Sequence, residues 1–385
     1  MKLRLPRADG SLEEYGVGAP SPYAQTAAPP RSRVAYAAAH VVADPLADID
    51  PWLSAALDWD ATLAYRRYLW DLGFSIAEAM DTAQRGMGLD WTTTRELIRR
   101  SLKEARALGV LDRIACGAGT DHLAHATTLD QVVHAYEEQC EFIESLGGRI
   151  ILMASRALAA CARSADDYAY VYERVLTQLG HPVIIHWLGD MFDPALSGYW
   201  GAIDLDAATE ACLDVLTRHA GKIDGIKMSL LDEQREIDLR RRLPGGVRMY
   251  TGDDFNYPAL IRGDQHGYSD ALLGIFDAIA PAAAAALGAL DDGDVARYDA
   301  IFRPTVALSR QIFKAPTRFY KTGVVFLAYL NGHQEHFSMV GGQQSARSLV
   351  HLAEIFRLAD AACLLCDPAV AAERMRRVLA LSGLA

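Results

Sequence analysis

Apolar runs and amphipathic stretches alternate along this chain from residue 34 onward. The runs are "RVAYAAAHVVA" (33–43), "GFSIAEAMD" (73–81), "RIACGAGTD" (113–121), "RIILMAS" (149–155), "PVIIHWL" (182–188), "IDGIKMS" (223–229), "VRMYTGDD" (247–254) and "GYSDALLG" (267–274). Between them lie segments with helical periodicity and end signals. Thr93 and Glu96 form a capping-box pattern ahead of Leu97, Ile98, Leu102 and Ala105. Thr128 and Gln131 repeat it ahead of Val132, Val133, Tyr136, Cys140 and Ile143, and Gly147 and Gly148 provide the stop. Continuously apolar strands alternating with helices predict a parallel sheet covered on its outer face, and eight such units close into a (β/α)8 TIM barrel. A doubly wound open sheet would carry a glycine-rich turn after the first strand, and "YAAAHVVADP" has none.

The pattern differs at the two ends. Residues 1–33, rich in Pro, Gly and Ala, read as an N-terminal arm over a domain edge. After residue 285 the periodicity is purely helical. The expected architecture is therefore an arm (1–33), a barrel (34–285) and a C-terminal helical layer (286–385) packed on the barrel.

Composition narrows the function classes. The chain has 385 residues, 51% hydrophobic and 23% charged, with a formal net charge of −11. A sizeable core is expected, general affinity for nucleic acid is not, and no run is long and apolar enough to span a membrane. The opening "MKLRLPRADGSLEEYG" lacks the apolar centre of a signal peptide, so a cytoplasmic protein is expected. The six cysteines are scattered. Cys363 and Cys366 form a C-x-x-C, but the intervening leucines favour a buried helix with core cysteines over a redox or metal pair.

Polar residues cluster where the strands end, which in a barrel is one mouth. They are His40, Glu78 with Asp81, Asp121 with His122, Ser155, His186, Lys227 with Ser229, and Asp253 with Asp254 and Asn256. Lys227, inside "IDGIKMS", is the sharpest signal. A lysine shielded from water has a depressed pKa, and its neutral amine can attack a ketone to form a Schiff base. The structural alternative is an ion pair with a buried carboxylate such as Asp253 or Glu78. His186 can relay protons or be a satisfied core histidine. Asp253 and Asp254 can bind substrate hydroxyls, or one can cap the next helix. Glu78 and Asp81 can be ligands or pair with arginine. His333 and His336 have a spacing that metal sites use, without other support.

With these residues in view, the chain resembles the dihydrodipicolinate synthase / N-acetylneuraminate lyase superfamily of class I aldolases. Gly225-Ile226-Lys227-Met228-Ser229 is similar to its Gly-hydrophobic-Lys-x-Ser strand, Thr251-Gly252-Asp253-Asp254 to its Ser-Gly-Asp-Asp turn, and Gly263 to Ser269 to its Gly-x-x-Gly-hydrophobic-Ser segment. "IACGAGTD" and "HPVIIHWLGD" resemble its third and fifth strands. The resemblance implies a barrel with a C-terminal helical extension, often a homo-oligomer (dimer or tetramer), with Lys227 as the Schiff-base lysine and Ser269 near substrate. It departs in two places. His186 stands where the family has a proton-relay tyrosine. "AEAMDTAQRG" replaces the family's Gly-Thr-Thr-Gly-Glu turn, keeping Thr82 and adding the charges of Glu78 and Asp81. Such an acidic mouth favours a neutral polyol or sugar-like ketone over a 2-keto acid.

The expected function is a lysine-dependent lyase or aldolase acting on a small polar carbonyl compound, without a cofactor. Lys227 would form the imine and His186 would move protons. Ser229, Thr82, Glu78, Asp81, Asp253, Asp254 and Ser269 would hold substrate. One alternative is a divalent-metal isomerase or lyase with Glu78, His186, Asp253 and His266 as ligands. Another is a non-catalytic ligand-binding barrel.

Overall fold

The computed structural model describes residues 2–384. An antiparallel hairpin, β1 (Lys2–Pro6) and β2 (Leu12–Gly16), precedes a closed parallel barrel. The barrel strands are β3 (Ala35–Ala38), β4 (Ser75–Glu78), β5 (Ile114–Ala118), β6 (Arg149–Leu152), β7 (Val183–Leu188), β8 (Ile223–Ser229), β9 (Arg248–Thr251) and β10 (Asp270–Leu273), with β10 pairing back onto β3. Each of the eight apolar runs contains one barrel strand, and the (β/α)8 fold is the one the alternation predicts.

The barrel has two cores because strand residues alternate between its faces. Tyr36, Ala38, Ala77, Ala115, Ile151, Ile184, Tyr250 and Leu272 fill the interior as one cluster. Ala35, Ala37, Ile76, Ile114, Ile185, Ile226 and Met228 belong to the larger cluster formed with the surrounding helices. The interior cluster makes a solid floor, and whatever lies beyond it toward the strand C-termini opens at the mouth.

Helix ends follow local chemistry. Thr128 caps Leu129–Ser145 with a complete capping box, and Gly147 (φ +72°) sits in the turn beyond its end. The second expected box fails. The cap of Trp91–Ala107 is Asp90, whose carboxylate accepts the Thr93 amide at 2.7 Å. Thr93 is thus already in the first turn, and Glu96 turns outward to Arg100 at 2.7 Å.

The C-terminal layer contains helices Val295–Ile312, Tyr320–Leu330, Leu349–Ala361 and Pro368–Leu381. Helix Ala280–Asp291 runs through the boundary expected at 285. The N-terminal segment is not only an irregular arm. Leu3 and Leu5 on β1 are buried among these helices, Tyr15 donates to Asp360 at 2.7 Å, and its ring meets Phe356 at 6.1 Å. The expectation of core cysteines fails at Cys363. It lies in a turn past Ala361 with φ +54° and is exposed, while Leu364 and Leu365 carry the burial. Among the described residues, no helix is long and apolar enough to cross a membrane.

Candidate active site

Lys227 is in the middle of β8, level with His186 on β7 and Tyr250 on β9. The inward positions of β8 are Gly225, Lys227 and Ser229, from floor to mouth. Gly225 leaves room for the floor, since a Cβ there would lie 2.6 Å from the Tyr250 ring. Gly252, just beyond β9, leaves room for the amine: a Cβ there would overlap Ser229 Oγ and lie 2.8 Å from Lys227 Cε. The lysine stem therefore passes over bare backbone on its way to the mouth.

Lys227 is 8% exposed. Among the described residues it has no carboxylate within ion-pair distance and no hydrogen-bond partner. Burial pushes its pKa below the usual lysine value, and the fields of Asp254 and Asp81 partly restore it. His186 is fully buried, with Nε2 3.2 Å from Ser229 Oγ and Nδ1 without a partner. Burial first, and the neighbouring Lys227 second, hold its pKa well below the ordinary value. Both effects favour the neutral imidazole, and its Nδ1 is left buried without a partner.

Asp254 follows β9 and ties it to β10, accepting the Ile275 amide at 2.8 Å. Burial pushes its pKa up to about 7, against the lowering effects of that amide and of Lys227. Asp254 thus lies in the field of the amine, with burial favouring its protonated form. Asp81 opens the short turn after β4 and faces the mouth cavity. Thr82 is buried beside it, its Oγ1 2.8 Å from Tyr320 Oη.

Four expected site residues have other work, and these expectations are corrected. Glu78 faces the outer layer, where Arg66 of helix Trp59–Asp71 binds both its oxygens at 2.8 and 2.9 Å, each residue fully buried. Strand alternation explains this: Ala77 points inward, so its neighbour points out. Asp253 caps the segment after β9, accepting the Phe255 and Asn256 amides at 2.8 and 2.9 Å and the Asn256 side chain at 2.8 Å. Ser269 precedes β10 and donates to Glu236 at 2.7 Å in the helical layer. His266 is exposed on a loop beside Gln265. The proposed ligand set Glu78, His186, Asp253 and His266 therefore does not converge. No cluster of three or more His, Cys, Asp or Glu side chains able to hold a metal ion occurs among the described residues.

The remaining strand-end and histidine candidates are bonded or packed within the protein, and of them only Asp121 lines the cavity. His40 bonds Asp277 through Nδ1 at 2.8 Å and packs against the Tyr65 ring at a tilted angle. Asp121 pairs with Arg85, and His122 with Gln139 at 2.8 Å. Ser155 caps Arg156–Cys161 and bonds Thr120 at 2.6 Å. His333 packs on Tyr65 and Tyr68, while His336 accepts the Ser338 amide, so the two do not form a pair.

The structure also adds groups that strand reading missed. Tyr320 and Lys321 begin helix Tyr320–Leu330, buried along its whole length. Lys321 contacts Met87 Sδ at 3.3 Å and Arg318 O at 3.1 Å. Burial brings its pKa down to about 8 against the fields of Asp81 and Asp193. The signal was the one that singled out Lys227, a lone lysine in an apolar run, "FYKTGVVFLAYL". Tyr320 and Lys321 lie behind the cavity wall, whereas Arg85 and Arg156 line the cavity itself. The mouth is thus of mixed charge, not acidic: Glu78 is neutralised outside it, and Asp81 faces two arginines across the cavity.

With this geometry in hand, the fold can be placed: it is a (β/α)8 barrel similar to that of dihydrodipicolinate synthases. Solved structures align over nearly their whole length. Dihydrodipicolinate synthase from Bacillus clausii has a TM-score of 0.62 at 14% identity, covering 85% of this chain and 97% of that one. YagE, a prophage protein of the dihydrodipicolinic acid synthase family from E. coli K12 solved in complex with pyruvate, gives 0.61 at 13%, covering 92% and 99%. The synthase from Aquifex aeolicus gives 0.60 at 14%, covering 91% and 98%. Identities this low establish the fold and leave the activity to the site. Residues 3–384 match the family described as protein of unknown function (DUF993), and the chain belongs to that family. No curated protein matches it.

Proposed function

We propose that this protein is a lyase or aldolase that forms a Schiff base between Lys227 and a small polar carbonyl compound. The observation that carries the reading is a water-shielded amine, unpaired and pointing up the barrel, with the buried His186 level with it on the neighbouring strand.

The chemistry follows from these groups. The neutral Nζ adds to the carbonyl carbon, and the oxygen takes up a proton as the carbinolamine forms. That oxygen leaves as water, the nitrogen lone pair forms the C=N bond, and the iminium keeps the positive charge. The iminium accepts the electron pair released when a neighbouring C–H or C–C bond breaks, which permits dehydration or carbon–carbon cleavage. His186, through its free Nδ1 or through Ser229, takes and returns the proton. Asp254 supplies a second proton near neutral pH. Thr82 and Tyr320 bond each other behind the turn that carries Asp81, and Asp81, which lines the cavity, can accept from a substrate hydroxyl. No step requires a cofactor. A homo-oligomer acting in the cytoplasm remains part of the proposal.

Borohydride reduction in the presence of hydroxyacetone, pyruvate and keto-sugars should leave a stable adduct on Lys227, located by peptide mass spectrometry. Lys321 is the internal comparison, since it is also a buried amine of lowered pKa. Adducts confined to Lys321, or absent across the panel, would overturn the assignment and favour a ligand-binding barrel.

A further inference from the structure

The cavity at the mouth is larger and less polar than the site chemistry requires. It encloses about 610 Å³ and runs from Asp81 and His186 outward between the loop after β5 and helix Arg156–Cys161. The apolar part of its wall is built from Leu123, Ala124, Ala126, Ala157, Ala160 and Leu196.

The polar groups of the outer part are largely paired with one another. Arg85 is held by Asp121, by Gln139 at 2.7 Å and by Gly117 O at 2.6 Å. Arg156 is paired with Asp193, and Thr120 with Ser155. The groups left without protein partners are His186 Nδ1, fully buried, and the Asp81 carboxylate at the inner end, with the exposed His125 imidazole the one exception farther out on the loop after β5. A hydroxylated chain in the outer part would give up water for few new hydrogen bonds, whereas an apolar chain would gain from leaving water.

We infer that the outer chamber is a subsite for an apolar substituent, so that the substrate is an amphipathic carbonyl compound. Its polar carbonyl end would lie at His186, which lines the inner end and pairs across the sheet with Lys227, and an alkyl or aryl group would lie along the alanine–leucine wall. The position of the reacting carbon rests on the imine reading above. The chamber and its preference do not.

Two series of probes separate the two ideas. The first is methyl n-alkyl carbinols from propyl to octyl, which cannot form an imine, with affinity measured by calorimetry on the full chain. The dissociation constant should fall roughly three- to fourfold per methylene until the wall is spanned. Ala157→Leu, which fills the chamber, and Leu123→Ser, which makes a loop-borne part of the wall polar, should each flatten that dependence. Having two variants guards against one failing to fold. The second series is the matching methyl ketones with borohydride, read as the rate of adduct formation at Lys227. Chain-length dependence in the carbinols without any adduct would leave the chamber standing and sink the imine. Adducts at Lys227 with no chain-length dependence in either series, or a dependence unchanged in both variants, would overturn the apolar subsite and leave the imine.

Discussion

Gly252 and Lys227 are in contact across neighbouring strands, and the contact exists only because residue 252 has no side chain. A Cβ there would lie 2.8 Å from Lys227 Cε and overlap Ser229 Oγ. Gly252→Ala should displace the amine and lower the rate of adduct formation by roughly a hundredfold. Gly221→Ala, where a Cβ would meet nothing within 4 Å, is the comparison and should leave the rate unchanged. Equal rates in the two variants would remove the geometric argument for Lys227.

The pH dependence of trapping has a definite sign. Only the neutral amine reacts, so the rate should rise with pH through the Lys227 pKa, which burial holds below 10.5. Asp254 works against that depression. Asp254→Asn should therefore move the midpoint of the rise to lower pH, and a shift to higher pH would contradict the assigned field. The measurement is adduct formation with hydroxyacetone from pH 5 to 10.

Arg66 and Glu78 form a fully buried pair outside the barrel. Glu78→Gln should cost about 3–5 kcal/mol of stability by leaving the guanidinium unpaired, and Arg66→Met with Glu78→Leu should recover much of it. Denaturant unfolding tests this. The folded fraction of Glu78→Gln should still trap ketones at the parent rate, whereas a residue that held substrate would not be neutral there.

Glu236 adds a stability term with its own pH window. Burial raises its pKa to about 8, and its Oε2 has no partner while Ser269 donates to Oε1 at 2.7 Å. The folded value exceeds the unfolded 4.5, so this contribution is full below 4.5 and is lost as pH rises through about 8. The loss is on the order of a few kcal/mol. Glu236→Gln should be more stable than the parent at pH 8 and similar at pH 4.5, and identical curves would refute it.

The fold was legible because burial on both faces writes each parallel strand as an unbroken apolar run. The (β/α)8 closure follows from counting eight of them. What an unbroken run hides is facing. Glu78 and Lys227 look alike as charges in apolar strands, and only the register separates outward from inward. Asp253 and Ser269 were drawn in by adjacency to a motif, though one caps a turn and the other lies below its strand. Tyr320 and Lys321 come from a helix more than sixty residues past Asp254, and no local pattern records that distance closing. The hairpin was within reach, since "KLRLP" alternates with period two.

Because Thr82 meets Tyr320 and Gln84 donates to Val340 O at 2.8 Å, the turn after β4 is sealed by residues made long after it. During synthesis the ring of strands can assemble once residue 273 has emerged, yet the turn after β4 gains its fastenings only when some fifty to seventy further residues follow. A nascent chain halted near residue 300 should leave Thr82 and Gln84 without these late partners, and the turn that carries Asp81 unfastened.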